Sequence, residues 1–276
     1  MTQSVCPVIR RWLPTAALLL AVAGCRPAPP PGAVVVVTTS FLDAVVRDLA
    51  GGTAGVRVVA LQPPGVCPSH VDLSPRIVPE VRAARLLLRH DFQPAIEERL
   101  VAGGATSLRT VPVRIGGSLV SPDSYVEAAR QVAAALVEAG LWSAADSPPA
   151  VERIAGRMKQ LAAEGRTRAA AWQGRTVVAS IQQKAFCEWL GLRVLAAIPR
   201  PEDVGAGDLD QFLDSGASAV VGNLQSDAEV AVRLAARMGR PLAILSNFPG
   251  AEGYGASWDE LFRANLARIE ALWAQP

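Results

Sequence analysis

Residues 34–50 read VVVVTTSFLDAVVRDLA, a run of four valines that passes after three hydroxyl residues into an amphipathic helical pattern. Because each residue of the valine run is apolar, rather than every second one, a strand here is expected to be covered on both faces. A strand buried on both sides and followed directly by a helix is typical of a parallel sheet with helices packed against it. The stretch therefore predicts an α/β fold.

The same pattern recurs along the chain. Short apolar runs without alternation predict eight strands, at 34–39, 56–61, 86–88, 110–113, 176–181, 193–198, 219–224 and 241–245. Amphipathic segments that predict helices lie between or after them, at 41–50, 78–84, 94–101, 227–238 and 258–273. The alternation of strand and helix supports the α/β class.

The middle of the chain breaks this rhythm. Residues 123–139 and 149–172 are alanine-rich and helical in pattern, with Ser-Pro steps as start signals and no strand run between them. We therefore expect two α/β lobes with mainly parallel sheets, at 34–121 and 175–276, joined by connecting helices over 122–174. A long rigid backbone helix resists bending more than loops would, so large domain closure is not expected.

The N-terminal segment predicts the compartment. Residues 1–24 contain two arginines and an apolar run that is too short to cross a bilayer, which is typical of a secretory signal peptide. Small residues before Cys25 resemble the bacterial lipobox, which predicts that Cys25 becomes a lipid anchor. Residues 25–33 then form a proline-rich spacer, and the protein is expected on the extracytoplasmic side of a cell-envelope membrane. An ordinary cleaved signal with an accidental cysteine is the alternative.

Composition narrows the function classes. The chain has 276 residues, of which 50% are hydrophobic and 19% charged, so an ordinary globular protein is expected. The 27 Lys and Arg face 25 Asp and Glu, and removal of Arg10 and Arg11 with the signal makes the balance zero. No basic block follows, so we expect no nucleic-acid partner.

Polar residues follow several of the predicted strands, at the edge where ligands bind in open α/β sheets. Both histidines of the chain, His70 and His90, are among them, and so is Cys67. Thiolate and imidazole are ligands of zinc and its neighbours, so these three residues form a candidate metal site. The same spacing also fits loop histidines bonded to backbone and a small buried cysteine.

Neutral amides follow the strands as well. They could line a polar ligand-binding pocket, or they could serve as helix caps and turn residues. The candidates are Gln93, Gln182, Gln183, Asn223, Gln225 and Asn247.

Motifs of known enzyme classes are missing from the sequence, including the nucleophile elbow, the Walker loop and the dinucleotide fingerprint. Cys67 and His90 form the only nucleophile and base pair available. Cys187 falls on a predicted helix after Gln183, where a core role is favoured, and a disulfide with Cys67 is not indicated.

The order and spacing of several segments resemble the cluster A-I solute-binding lipoproteins of zinc and manganese ABC importers. The likeness covers nearly the whole mature chain. It rests on the lipobox, residues 34–40 opening into Phe41, Leu61-Gln62-Pro63-Pro64-Gly65 with a histidine shortly after, Ser121-Pro122, the long helix, Trp189-Leu190-Gly191-Leu192 and Asn265-Leu266.

The resemblance implies a metal held between the lobes by typically three histidines and one carboxylate. Only the first histidine carries over, as His70. The other family ligands fall near Gly117 or Ser118, at about Ser180 or Ile181, and at Ser246 or Asn247. Because none of these is a strong metal ligand, we expect a shifted site in which Cys67 and His90 compensate.

We therefore expect a lipid-anchored, monomeric receptor that captures a transition metal ion and delivers it to an ABC permease, without enzymatic activity. Zinc is the first candidate, with copper, nickel or cobalt as others. Three alternatives remain: a cleft for a chelated metal or small polar solute, a cysteine-dependent enzyme using Cys67 and His90, and a partner-binding relative with a vestigial cleft.

Overall fold

Eight strands form two four-stranded parallel sheets in the computed structural model, which describes residues 32–50, 55–68, 76–103, 108–203 and 205–274. The strand order is β2-β1-β3-β4 in the first sheet and β6-β5-β7-β8 in the second. The strands are β1 (Ala33–Val37), β2 (Val56–Ala60), β3 (Ala84–His90), β4 (Arg109–Val113), β5 (Thr176–Ser180), β6 (Arg193–Ile198), β7 (Ala219–Asn223) and β8 (Leu242–Leu245).

Helices connect the strands and cover the sheets. They are α1 (Ser40–Ala50), α2 (Val78–Ala83), α3 (Pro94–Ala102), α4 (Pro122–Glu138), α5 (Ser147–Ala169), α6 (Lys184–Trp189), α7 (Ala206–Asp214), α8 (Ala228–Met238) and α9 (Trp258–Ala271). Within the described ranges, none of them is both long enough and apolar enough to span a membrane.

The predicted α/β class with two lobes is confirmed, and each predicted strand is present. The central strands β1 and β7 are buried at every position, as their unbroken apolar runs predict. Strand β3 is longer than the three leucines that predicted it, because it begins directly after α2 and continues through Arg89 to His90. Helix α7 was not predicted, although its Phe212 is fully buried.

The connecting helices α4 and α5 join the two sheets. Helix α5 has 23 residues and is therefore about 35 Å long. It contacts α1 in the first lobe and α9 in the second, and it also packs along α4. Because its buried residues belong to an apolar core that extends through both lobes, α5 is a shared part of each lobe rather than a free linker.

A polar cluster reinforces this joint between the lobes. The Tyr125 hydroxyl on α4 donates a 2.6 Å hydrogen bond to the Asp48 carboxylate on α1. Arg157 on α5 forms ion pairs with both Asp48 and, at 3.3 Å, Asp259 on α9. Trp258, next to Asp259, donates its indole N–H to the carbonyl of Leu119 at 3.1 Å. The cluster thus ties together one helix from each lobe and both connecting helices.

Candidate functional site

The two sheets have the same topology, and this places the candidate site. In each sheet the first strand lies in the middle, with the next strand of the chain on one side and the third on the other. The order in which strands are added to the sheet therefore reverses between β1 and β3, and again between β5 and β7. The carboxyl ends of strands at such switch points form the crevice where ligands bind in parallel sheets.

A cavity of about 430 Å³ lies between the lobes at these strand ends. Its walls come from both lobes, and six of the nine predicted metal- and ligand-binding residues are among them: Cys67, His90, Gln182, Asn223, Gln225 and Asn247. Gln93 and Gln183 are buried nearby but do not line the cavity. The sequence therefore located the cavity, while the function of each lining residue stays a prediction.

Two of the three predicted metal donors reach the cavity in the described structure. His90 is fully buried in its wall, and Cys67 is half-buried as a free thiol. His70 and the predicted anchor Cys25 lie outside the described residues. Within the part of the chain that is described, His, Cys, Asp and Glu form no group of three that could hold a metal ion. A metal site here therefore needs a donor beyond Cys67 and His90.

His90 is the last residue of β3, not a loop residue as its place after the leucine run suggested. Its ring stacks on Phe92 with centroids 5.0 Å apart and planes 9° from parallel, and it packs against Phe41 and Phe248. Its Nε2 lies 3.0 Å from the Thr39 hydroxyl, whereas its buried Nδ1 has no hydrogen-bond partner among the described residues. When Nε2 carries the ring proton, Nδ1 keeps the lone pair that a metal ion requires.

Burial lowers the pKa of His90 from its ordinary 6.5 to about 3, so the ring is neutral near pH 7. The unfolded chain binds the His90 proton below pH 6.5, while the folded chain does not bind it until about pH 3. The contribution of His90 to the free energy of unfolding is therefore fully present above pH 6.5. It is expected to fall as the pH drops, by at most about 1.4 kcal/mol per pH unit. Denaturant unfolding of metal-free protein at pH 7, 6 and 5 measures this slope.

A matched variant identifies the group responsible. His90→Phe keeps an aromatic ring against Phe92 but cannot take up a proton, so it is expected to lose the part of the pH dependence that His90 causes. Other groups, such as Asp227 with its raised pKa, contribute to both proteins, so the difference between the two slopes isolates His90. An equal slope in the wild type and the variant would show that His90 is not the group that titrates.

Two glutamines hold the loop that carries Cys67. Gln62 donates to the Cys67 carbonyl at 3.1 Å, and Gln93 donates to the Pro68 carbonyl at 2.7 Å. The Gln93 carbonyl oxygen accepts from the Thr38 hydroxyl and from the His90 backbone N–H. Because these bonds use both ends of its amide, Gln93 positions the loop beside His90 rather than facing a ligand.

The amides of the second lobe form a connected network. Gln225 donates to the Ser246 hydroxyl at 2.8 Å and to the Pro64 carbonyl of the first lobe at 3.1 Å, and its oxygen accepts from the Asn247 backbone. The Asn247 side-chain oxygen accepts from Gln183 at 2.8 Å. The network fixes the cavity wall and links the lobes across the crevice.

The positions where the resemblance places the remaining family ligands are occupied differently. Gly117 lines the cavity without a side chain and has a φ of +94°. The Ser180 hydroxyl donates to the Asp227 carboxylate, and the Ser246 hydroxyl donates to the Phe248 carbonyl. These hydroxyls are engaged within the protein, so they are poor candidates for metal ligands.

Three charged residues at or behind the cavity were not identified from the sequence: Arg200 and Glu202, which line it, and Asp227, which lies behind its wall. Asp227 is buried behind the Asn223 loop, where its carboxylate also accepts from the Asn223 backbone at 2.8 Å, and burial raises its pKa. The sequence pattern indicates only that a helix begins at Asp227. Arg200 lines the cavity two residues after β6, and the rule that identified the other strand ends would have identified it too.

The second free cysteine is unrelated to the cavity. Cys187 lies on α6 and is fully buried, and this burial raises the pKa of its thiol to about 12. It belongs to the apolar core that both lobes share.

Solved structures share this fold. A zinc-bound deletion mutant of ZnuA has 18% identity and a TM-score of 0.71, covering 89% of this chain and 100% of that one. A mutant manganese-bound periplasmic metal binding protein from Candidatus Liberibacter asiaticus has 13% identity and a TM-score of 0.68, with 87% and 98% covered. The laminin-binding adhesin Lmb from Streptococcus agalactiae, also as a mutant, has 16% identity and a TM-score of 0.71, with 86% and 98% covered.

No description of a known protein family matches the chain, and no curated protein does. The structural likeness confirms the fold that the resemblance implied. At these identities it identifies the architecture and not the ligand.

Proposed function

We propose that this chain is an extracytoplasmic solute-binding lipoprotein of an ABC importer that captures a transition metal ion, zinc first, between its two lobes. The observation that carries the proposal is the shared cavity between the lobes, with Cys67 and His90 in its wall and with His90 Nδ1 lacking a hydrogen-bond partner among the described residues. Two of the similar solved structures are described as zinc-bound and manganese-bound, and this supports a transition metal as the cargo.

The donor types favour particular ions. Thiolate and neutral imidazole suit zinc, copper(I), nickel and cobalt, whereas manganese prefers oxygen ligands. His70 is proposed as the third donor because it lies three residues after Cys67 in a C-x-x-H spacing. Cys25 is proposed as the lipid anchor that keeps the protein beside its permease.

The alternative of a cysteine-dependent enzyme is less well supported. A reactive cysteine of that kind is usually paired with an imidazolium, which stabilises the thiolate. Because burial lowers the pKa of His90 to about 3, the charged ring is disfavoured here. The neutral His90 ring therefore suits a metal ligand better than a general base, which must become charged when it takes up a proton.

Calorimetric titration of reduced, metal-free protein tests the proposal with zinc, nickel, cobalt and copper(I) in separate experiments. We expect one equivalent of zinc to bind with a dissociation constant below the micromolar range. If none of the four ions binds at micromolar concentration, capture of a free ion is refuted. Palmitate labelling of the wild type and Cys25→Ala tests the anchor separately, and an unlabelled wild type would refute it.

A further inference from the structure

We propose that the cavity takes its metal as a complex with a small organic acid, whose carboxylate is bound by Arg200 and whose apolar part lies against Phe92 and Phe248. This inference rests on the proposed function, because it assumes that a transition metal is the cargo. It differs from capture of a bare ion in that the organic ligand enters the protein with the metal.

The size of the cavity is the first argument. Its 430 Å³ lies within the range of pockets that enclose small organic ligands. A zinc ion with protein ligands at about 2.0–2.3 Å needs room for little more than itself and one water. Gly117 lines the cavity and adds no side chain that would fill it. The space around the predicted metal position is therefore large enough for an organic molecule.

The donor count is the second argument. Zinc sites in proteins have four ligands or more, and the described wall offers one thiol and one imidazole. Two positions of a four-ligand zinc ion would therefore remain for other donors. Asp91 and Glu202 also line the cavity, but neither belongs to a group of three metal-ligating side chains among the described residues. A chelating ligand would supply the missing donors.

Unpaired donor groups in the wall are the third argument. The Asn223 side chain is 1% exposed, and its oxygen accepts from the Gln225 backbone at 3.0 Å, whereas its Nδ2 has no partner among the described residues. Arg200 lines the cavity and is exposed, and its side chain has no ion pair or hydrogen bond among the described residues. Buried donors are rarely left unpaired, so Asn223 points to a ligand with acceptor atoms. Arginine is the preferred partner of a carboxylate.

The apolar part of the wall is the fourth argument. Phe92 is 52% exposed although it stacks on the buried His90 ring, and Phe248 approaches the same ring from the second lobe. Leu119 and Ile115 extend this surface. A flat ring or short hydrocarbon would cover these groups, which a hydrated ion would not do. The wall therefore fits a ligand with one apolar side and one carboxylate.

Equilibrium dialysis with pyridine-2-carboxylate tests the proposal, because this acid has an aromatic ring, a carboxylate and a chelating nitrogen. We expect the full chain to retain one equivalent of the acid in the presence of zinc and none in its absence. Pyridine-3-carboxylate has the same ring and charge but cannot chelate through both groups, and we expect it not to be retained.

Two arginines of the same strand region provide matched variants. Arg200→Gln removes the proposed carboxylate partner after β6, and Arg193→Gln changes an exposed arginine at the opposite end of β6. We expect Arg200→Gln to weaken retention of the acid about tenfold, which corresponds to one charge-assisted hydrogen bond. Arg193→Gln should retain the acid as the wild type does.

The outcomes separate this inference from the proposed function. Zinc bound alone, with the acid either not retained or removing the metal, would overturn the inference and leave metal capture intact. Retention of the acid without zinc, or of both isomers equally, would also overturn it. If the protein retains neither zinc nor acid under any condition, the proposed metal cargo itself fails.

Discussion

Replacement of Cys67 by serine is expected to weaken zinc binding by more than about a hundredfold. Cys67 is half-buried in the cavity wall, and its loop is held by Gln62 and Gln93, so the loop itself should survive the substitution. Serine has nearly the same shape, but its hydroxyl stays protonated at neutral pH and binds zinc far more weakly than a thiolate does. Loss of groups that only support a metal ligand already costs 10- to 100-fold, and loss of the ligand should cost more. Calorimetry on reduced protein gives the two affinities.

Cys187→Ala is the control, because it removes the other free thiol among the described residues. This thiol is fully buried in the core on α6 and does not line the cavity. We expect zinc affinity within about twofold of the wild type even though stability falls. Equal zinc affinity in Cys67→Ser and the wild type would show that sulfur is not a ligand.

Trp258→Ala is expected to lower the free energy of unfolding by about 3–5 kcal/mol, the usual range for removal of a large buried aromatic side chain. Trp258 is 1% exposed, stacks on Phe262 with centroids 5.5 Å apart and lies 4.7 Å from the Tyr125 ring. Its indole N–H also donates to the carbonyl of Leu119, a residue of the first lobe that lines the cavity. The substitution therefore removes core packing and a contact between the lobes together.

Two variants separate these contributions in denaturant unfolding. Trp258→Phe keeps most of the aromatic packing and loses the hydrogen bond, so we expect a cost of about 1–2 kcal/mol. Trp273→Ala removes a half-buried tryptophan of the C-terminal segment, whose ring contacts Arg175. It should lower the free energy of unfolding clearly less than Trp258→Ala does. A Trp258→Ala cost no larger than that of Trp273→Ala would contradict the central place of Trp258 in the joint.

Much of the architecture could be predicted because it depends on local pattern. An unbroken apolar run such as residues 34–37 indicates a strand that is buried on both faces. Ser-Pro steps indicate where α4 and α5 begin. Ligands bind at the carboxyl ends of the strands in parallel sheets, and this generalisation predicts that Cys67, His90 and Asn223 lie at one crevice. Their convergence follows from topology, which repeats in both lobes.

The remainder depends on tertiary contacts that a single sequence does not contain. Gln93 lies near the carboxyl end of a strand just as Asn223 does, yet it bonds Pro68 and Thr38 and does not line the cavity. Gln225 reaches Pro64, which is 161 residues away in the chain. Whether an amide faces a ligand or holds a loop is decided by such contacts. Helix α7 was missed for a related reason, because its pattern is short and its Phe212 is buried in an apolar cluster with residues of β6 and β7.

X-ray absorption at the zinc edge of the zinc-loaded protein identifies the atoms bound to the metal, and it therefore tests whether Cys67 and His90 hold the ion. We expect one sulfur at about 2.3 Å and at least one imidazole nitrogen at about 2.0–2.1 Å, with the sulfur absent in Cys67→Ser. A coordination shell made only of oxygen and nitrogen in the wild type would contradict this expectation.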